Sequence, residues 1–225
     1  SIGTDASQQR GLTWMPHGLG GALRPLDVER QPLRIGIVGT NQSRKNWGFA
    51  ALLCRAIHYR MPEVRLWWHI DTFVRAVDVN ALLDDFGLAG VVEVTQPPMT
   101  DGELAERYAS CIMTLNPAGG EGFGYTIFES LTCDVPCLHT DYAGGASLMR
   151  SFRLENYLVP PSGEWTIEGQ WNLVRPVLAV EPWMNKINYV LQERAEAGEL
   201  AKQVEHLQWR NLSQLWLRWM REGIA

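Results

Sequence analysis

Residues Cys111-Ile-Met-Thr-Leu-Asn-Pro-Ala-Gly-Gly-Glu-Gly-Phe-Gly-Tyr-Thr-Ile-Phe-Glu129 decide how this chain reads. An apolar, β-prone run over 111–115 is followed by glycines at 119, 120, 122 and 124, and a helix-like segment starts near Tyr125. The order is strand, glycine loop, helix. Such a loop lets backbone N–H groups at a helix N-terminus face an anion. Two carboxylates, Glu121 and Glu129, sit eight residues apart in the same stretch. They repel phosphate but suit neutral hydroxyls, because an ionised carboxylate accepts two hydrogen bonds from a vicinal diol. A ligand with phosphate in the middle and hydroxyl-rich sugars on either side fits this pattern, and nucleotide-sugars have that shape.

Outward from this stretch, short apolar runs alternate with helical spacing. Strands are expected at Leu33–Val38, Val64–Trp68, Val91–Val94, 111–115 and Val135–Leu138. Between them, helices are expected at Trp47–Tyr59, Val77–Phe86, Glu103–Ser110 and 125–133, with Thr100 or Asp101 capping the third. A turn is expected at Gly144-Gly145. Strand–helix alternation over 33–150 predicts an α/β fold, a Rossmann-like doubly wound parallel sheet with C-terminal helices. Ligands of such sheets bind at the carboxyl ends of the strands, where loops 39–46, 95–100, 116–124 and 139–145 gather. Residues 1–32 read as an irregular lead-in, 33–180 as the nucleotide-sugar-binding domain with a hairpin-like insertion at 152–180, and 181–225 as C-terminal helices packing on it. Two helices are expected in that last part.

The composition excludes some classes. The net charge of -5 argues against nucleic-acid binding through bulk charge. No run of apolar residues is long enough for a transmembrane helix, and the polar start Ser1 to Arg10 lacks a signal core. These features predict a cytoplasmic protein. Cys54, Cys111, Cys133 and Cys137 lie in apolar surroundings, and the spacing of Cys133 and Cys137 is not continued by a second zinc-type pair. They read as buried free thiols, and no metal site is expected. The tryptophans of the tail, Trp183, Trp209, Trp216 and Trp219, are expected to pack.

A second basic feature follows the first strand, in Gly39-Thr-Asn-Gln-Ser-Arg-Lys45. Gly39 permits a close ligand approach. Arg44 and Lys45 at the sheet edge can hold a diphosphate, Arg by its fork and Lys as a point charge, although an isolated basic pair is also an ordinary solvated feature. In the glycine loop, the N–H groups of Gly124, Tyr125 and Thr126 can reach phosphate oxygens, with Gly122 beside them and Phe123 packing inward to fix the loop. Glu129, one turn into the helix, can hold a ribose diol, and Glu121 a transferred sugar. Taken singly, Glu121 also reads as an exposed loop acid and Glu129 as a carboxylate favoured by the helix dipole. His17 and His139 can each serve as acid or base, and His139 reads better as an ordinary polar residue after its strand. Asp141 reads as a turn cap.

At these residues the chain resembles the retaining glycosyltransferases of GT-B fold, especially glycosyltransferase family 4. Glu121-Gly-Phe-Gly…Glu129 resembles their Glu-x7-Glu signature. Met15-Pro-His-Gly18 with Arg24-Pro25 is similar to the linker that enters their second Rossmann-like domain, and Ile37-Val-Gly39 with Arg44-Lys45 to its first strand and diphosphate-binding pair. Leu131-Thr-Cys-Asp-Val-Pro136 and Asp141 with Gly144-Gly145 are similar to the segments after the second glutamate. Trp68-His-Ile-Asp71 replaces the family's acidic turn, and Leu148 stands near where it has a further glutamate. The resemblance implies a nucleotide-sugar donor (UDP-, GDP- or ADP-linked) as substrate, without a tightly bound cofactor. It assigns Glu129 to ribose, Glu121 to the donor sugar, and Arg44, Lys45 and the 124–126 amides to the leaving diphosphate. It also implies a partner: an N-terminal GT-B domain, of the same or another chain, that binds an acceptor of unknown class, without which the chain is expected to transfer poorly. A sugar-nucleotide epimerase of the same architecture and a noncatalytic partner-binding module with a relic pocket are the alternatives.

Overall fold

A computed structural model describes residues 15–28, 33–168, 172–193 and 195–222. The polar N-terminus, parts of the lead-in and Gly169 of the insertion lie outside them. Six strands form one parallel sheet: β1 Arg34–Gly39, β2 Arg65–Ile70, β3 Val92–Thr95, β4 Met113–Asn116, β5 Cys137–Thr140 and β6 Leu158–Val159, in the order β3-β2-β1-β4-β5-β6. The helices between them are α1 Trp47–Arg60, α2 Val79–Asp85, α3 Asp101–Ala109, α4 Tyr125–Thr132 and α5 Ala143–Ser151. This is the doubly wound, Rossmann-like arrangement that the alternation predicts. Its topological switch point lies between β1 and β4, the place where such sheets take ligands.

The two faces of the sheet are readable in single residues. Side chains of a strand alternate sides, so Trp68 joins Ile35, Ile37 and Met113 in one buried cluster while Trp67 joins Tyr108, Phe128 and Leu131 in the other. α1 supplies Leu53 and Ile57 to the first cluster, together with Trp183 and Ile187 of α6 (Val180–Gln192). α4 and α5 supply the second, where Leu200 of α7 (Glu199–Val204) also packs. Trp67, Trp68 and Trp183 are fully buried, and truncating such a side chain to alanine costs about 3–5 kcal/mol. Helix starts follow local chemistry. Asp78 accepts from the N–H groups of Asn80 and Ala81 at α2, and Thr100 with Glu103 forms a full capping box at α3.

Several boundaries differ from the sequence reading. β5 runs over Cys137–Thr140 rather than 135–138, so His139 lies within the strand and not after it. Gly144 and Gly145 are not a turn but the second and third residues of α5. Asp141 does not act as a lone turn cap; it pairs with Arg150 of α5. The tail holds α6, α7, a short 3-10 turn at Glu205–Leu207 and α8 Trp209–Glu222, rather than two helices. Trp209, at 45% exposure, lies open, as do Leu215, Leu217 and Met220, whereas Trp216 and Trp219 stack edge to face at 6.1 Å. Only part of the tail's apolar stripe therefore packs on the domain.

Within 152–180, β7 Trp165–Glu168 pairs antiparallel with β8 Leu173–Pro176 as a hairpin. The lead-in joins the tail: Leu19 N–H donates to Leu207 O at 2.8 Å, and Trp209 N–H to Leu19 O at 3.1 Å. Among the described residues no helix is long and apolar enough to cross a membrane. The four cysteines are buried and free.

Candidate nucleotide-sugar site

A cleft of about 520 Å³ opens at the carboxyl edge of the sheet, over the switch point. Its wall on the β1 side carries Gly39, Thr40, Arg44 and Lys45, the last two in a 3-10 turn over Ser43–Lys45. Its wall on the β4 side is the run Glu121 to Thr126, with Glu129 one turn further along α4. All of Arg44, Lys45, Gly39, Glu121, Gly122, Phe123, Gly124, Tyr125, Thr126 and Glu129 line this one cleft, although the two groups are more than seventy positions apart in sequence.

The loop geometry follows from its glycines. Gly124 has φ 83°, a left-handed conformation that suits glycine, and it turns the chain directly into α4. The first N–H groups of α4 therefore point out of its N-terminus, toward the cleft. Asn116 at the end of β4 steadies this turn, donating from Nδ2 to Thr126 Oγ1 at 2.9 Å. Ser130 anchors the helix below, accepting from Thr114 Oγ1 at 2.7 Å and donating to Val135 O at 3.0 Å. Phe123 packs inward on Phe128 with ring centres 5.2 Å apart, and its other neighbours are Tyr125 and His17. His17 of the lead-in thus stands at the cleft, a place its isolated sequence context does not reveal.

Charge is concentrated on Glu121. One carboxylate oxygen accepts from Lys45 Nζ and the other from Arg44 Nη1, at 2.6 Å for the latter. Burial alone would raise its pKa, but Lys45 and then Arg44 outweigh that and hold it below the ordinary carboxylate value. Glu121 is not the exposed loop acid that its position permits. Its backbone O accepts from Gly145 N–H of α5 at 3.1 Å, so α5 supports the loop from beneath.

Glu129 behaves oppositely. Burial raises its pKa, and the Tyr108 hydroxyl, donating to Oε2 at 2.9 Å, only partly counters this. Tyr108 is fully buried and its bond occupies one oxygen of Glu129, which itself lines the cleft. The far end of the cleft is formed by His69, Asp71, Pro97 and Leu104. His69 Nδ1 lies 3.0 Å from Thr95 Oγ1, and burial lowers its pKa. Behind this end, buried Asn41 ties the loop after β1 to the loop after β2: its N–H donates to Asp71, and its side chain to Thr72 O and Val77 O.

His139 is not at the cleft. It is buried in β5, with Nδ1 3.0 Å from Asn116 O, and desolvation lowers its pKa to about 4. Sequence reading missed Tyr108, Asn41, His69 and Leu104. Tyr108 and Leu104 sit among apolar helix positions that read as core, and Asn41 looks like any loop amide.

No protein-family model matches the sequence, and no curated protein matches it either. Solved structures do resemble it. The pneumococcal O-GlcNAc transferase GtfA, solved with UDP and GlcNAc, superposes over 92% of this chain with a TM-score of 0.67 at 16% identity. Sucrose-phosphate synthase from Thermosynechococcus elongatus superposes over 99% with a TM-score of 0.71 at 18% identity. The chain spans 38% and 56% of those two proteins. It covers 96% of a third structure, the C-terminal domain of a glycosyl transferase group 1 family protein from Francisella tularensis, at 14% identity and a TM-score of 0.58. The likeness is one of fold: this chain has the Rossmann-like architecture of the C-terminal half of GT-B glycosyltransferases.

Proposed function

We propose that this chain is the donor-binding half of a retaining, family 4-like glycosyltransferase. It would hold a nucleotide-sugar across the switch point and transfer the sugar to an acceptor hydroxyl. The observation that carries this reading is the meeting of Glu121, Arg44 and Lys45 from two distant loops, in one cleft with the α4 N-terminus and Glu129. Two cations and a helix N-terminus suit a diphosphate. The nucleoside extends toward His69, Pro97 and Leu104, with its ribose hydroxyls on Glu129. The sugar lies on Glu121.

In the reaction the bond between the anomeric carbon and the diphosphate oxygen breaks, with its electron pair leaving on that oxygen. Arg44, Lys45 and the amides of 124–126 stabilise the charge that develops there. The acceptor oxygen bonds to the same carbon from the face the diphosphate leaves, and its proton passes to the departing diphosphate. Because Arg44 and Lys45 contact Glu121 in this structure, diphosphate and sugar must exchange partners with that ion pair as they bind. GtfA and sucrose-phosphate synthase extend well beyond the matched region. By analogy, the acceptor would be held by an N-terminal GT-B domain of the same or a partner chain. The four buried free thiols fit a reducing compartment such as the cytoplasm.

Calorimetric titration with UDP, GDP, ADP and their common sugar conjugates tests the reading. Selective binding that weakens in Glu129→Ala and Lys45→Ala supports it and identifies the base. Absence of binding to every one of them overturns it in favour of a noncatalytic module, and conversion of the bound sugar without an acceptor would point to an epimerase.

A further inference from the structure

Outside the cleft, the β7–β8 hairpin reaches back over both loops that form it. Glu168 Oε1 accepts from Ser43 Oγ, in the turn that carries Arg44 and Lys45. Glu168 Oε2 accepts from Arg175 Nε at 3.0 Å, and Arg175 Nη1 donates to Gly119 O at 3.1 Å, in the glycine loop that carries Glu121. Ser43, Glu168, Arg175 and Gly119 thus form one chain of hydrogen bonds from the first loop to the second. The circuit is closed by Gly119 N–H donating to Arg44 O at 2.7 Å. Tyr142 braces the hairpin, donating to Val174 O at 3.1 Å and stacking edge to face on Trp165 at 5.5 Å. Glu168 and Arg175 do not line the cleft.

We infer that Glu168 and Arg175 are positioning residues that fix the spacing of the diphosphate seat. The inference rests on the nucleotide-sugar reading of the cleft. The two loops leave different strands, β1 and β4, and the strongest side-chain tie between them is Glu121 with Arg44 and Lys45. A diphosphate that takes over those cations removes that tie. The Ser43–Glu168–Arg175–Gly119 chain lies behind the seat and stays in place. It holds Arg44 and Lys45 opposite the α4 N-terminus together with the backbone bond from Gly119 and the longer one from Arg44 Nη1 to Gly120 O at 3.4 Å. A geometry held in advance spares the ordering that binding would otherwise require.

The test separates phosphate positioning from plain structural support. Affinities for UMP and UDP, with the AMP/ADP and GMP/GDP pairs alongside, are measured by calorimetry for the wild-type chain and for Arg175→Met, Glu168→Gln and their double variant. UMP rests on the base, ribose and helix N-terminus, whereas UDP also needs the Arg44-Lys45 turn. Each single variant should weaken UDP by roughly fivefold to tenfold, the scale of one ordinary net hydrogen bond, and leave UMP within about twofold. The double variant should be no worse than the poorer single one, because the two residues act as one chain. Ser43→Ala removes only one exposed end of the chain and serves if the others fold poorly; it should lower the UDP-to-UMP ratio in the same direction. Equal losses for UMP and UDP would overturn the inference, as would unchanged UDP affinity in folded variants. If the wild-type chain binds none of these nucleotides, the reading of the cleft falls first. If it binds them normally and only the hairpin variants are silent, the inference alone falls.

Discussion

Gly144→Ala is the sharpest perturbation of the Glu121 loop that leaves the loop's own sequence untouched. Gly144 sits in the first turn of α5, and a Cβ there would lie 2.9 Å from Glu121 O, 3.2 Å from Gly122 C, and closer still to Gly122 O. All three obstacles are backbone, so no side chain can swing away. Restoring ordinary contact requires the 121–122 backbone or the start of α5 to move by roughly 1 Å, on the scale at which packed interiors feel a single methyl group. That motion pulls Glu121 from Arg44 and Lys45 and stretches the bond from Gly145 N–H to Glu121 O. Overpacking of this kind costs about 1–3 kcal/mol of stability. A misplacement near 1 Å in a reacting site costs on the order of 100-fold in turnover. Urea unfolding measures the first effect, and titration with the selected nucleotide-sugar gives a binding readout alongside it, where at least a tenfold loss is expected, ~1.4 kcal/mol. Gly48→Ala is the matched control, because a Cβ there meets nothing within 4 Å. A Gly144→Ala protein that unfolds at the wild-type urea concentration and binds the ligand as well as wild type would refute the reasoning from close approach.

Gly48→Ala should itself raise stability by about 0.5 kcal/mol, since it lies in α1 and replaces a flexible helical residue with the best helix former; urea denaturation reads this. Glu121→Gln should lower stability by about 3 kcal/mol, because it strands Lys45, whose side chain is only 10% exposed, without its anion. The pH dependence has a definite sign. The folded pKa of Glu121 lies below its ordinary 4.5, so its contribution is complete above that value and is lost as acid carries the pH through the folded pKa. Thermal melts of wild type and Glu121→Gln from pH 6 downward should therefore stay apart above 4.5 and converge on the acid side, as the pH falls through the folded pKa. Tyr108→Phe removes the hydrogen bond that partly offsets burial at Glu129, so the Glu129 pKa should rise further and ligand affinity should fall toward acid at a higher pH than in wild type. A titration series across pH 5 to 8 decides this, and superimposable profiles would contradict it.

Local chemistry makes the elements legible, and long-range contacts make their fine placement illegible. The capping box at Thr100 and Glu103 and the nearly continuous burial along Leu66 to Ile70, a strand covered on both faces, are written within a few residues, so α3 and β2 can be read directly. β5 is displaced toward its C-terminus because His139 and Thr140 are buried polar residues, and no apolar pattern marks them as strand. Gly144 and Gly145 resemble a turn, yet the smallness of Gly144 answers a backbone more than twenty positions upstream that presses on the helix, and that of Gly145 the side chains of His139, Glu121 and Ile127. The open apolar face of α8 has the spacing of a packed helix, and spacing alone does not say whether a surface is covered. Arg175 illustrates the limit: its partner Gly119 lies 56 positions away, and nothing near either residue announces the pairing.

The grouping of Glu121 with Arg44 and Lys45 escaped this limit for a chemical reason. Glu121, Arg44 and Lys45 can serve one ligand only if the ends of β1 and β4 are neighbours. The requirement that two cations and two carboxylates meet on a single phosphate-and-sugar ligand therefore constrains the strand order, which hydrophobic periodicity alone leaves open. The sheet satisfies it, with β1 and β4 adjacent and parallel through Ile35–Met113 and Gly36–Thr114. Under the proposed function, ligand chemistry is a topological constraint: it would join two motifs that sequence separation keeps apart, at the crevice a doubly wound sheet provides.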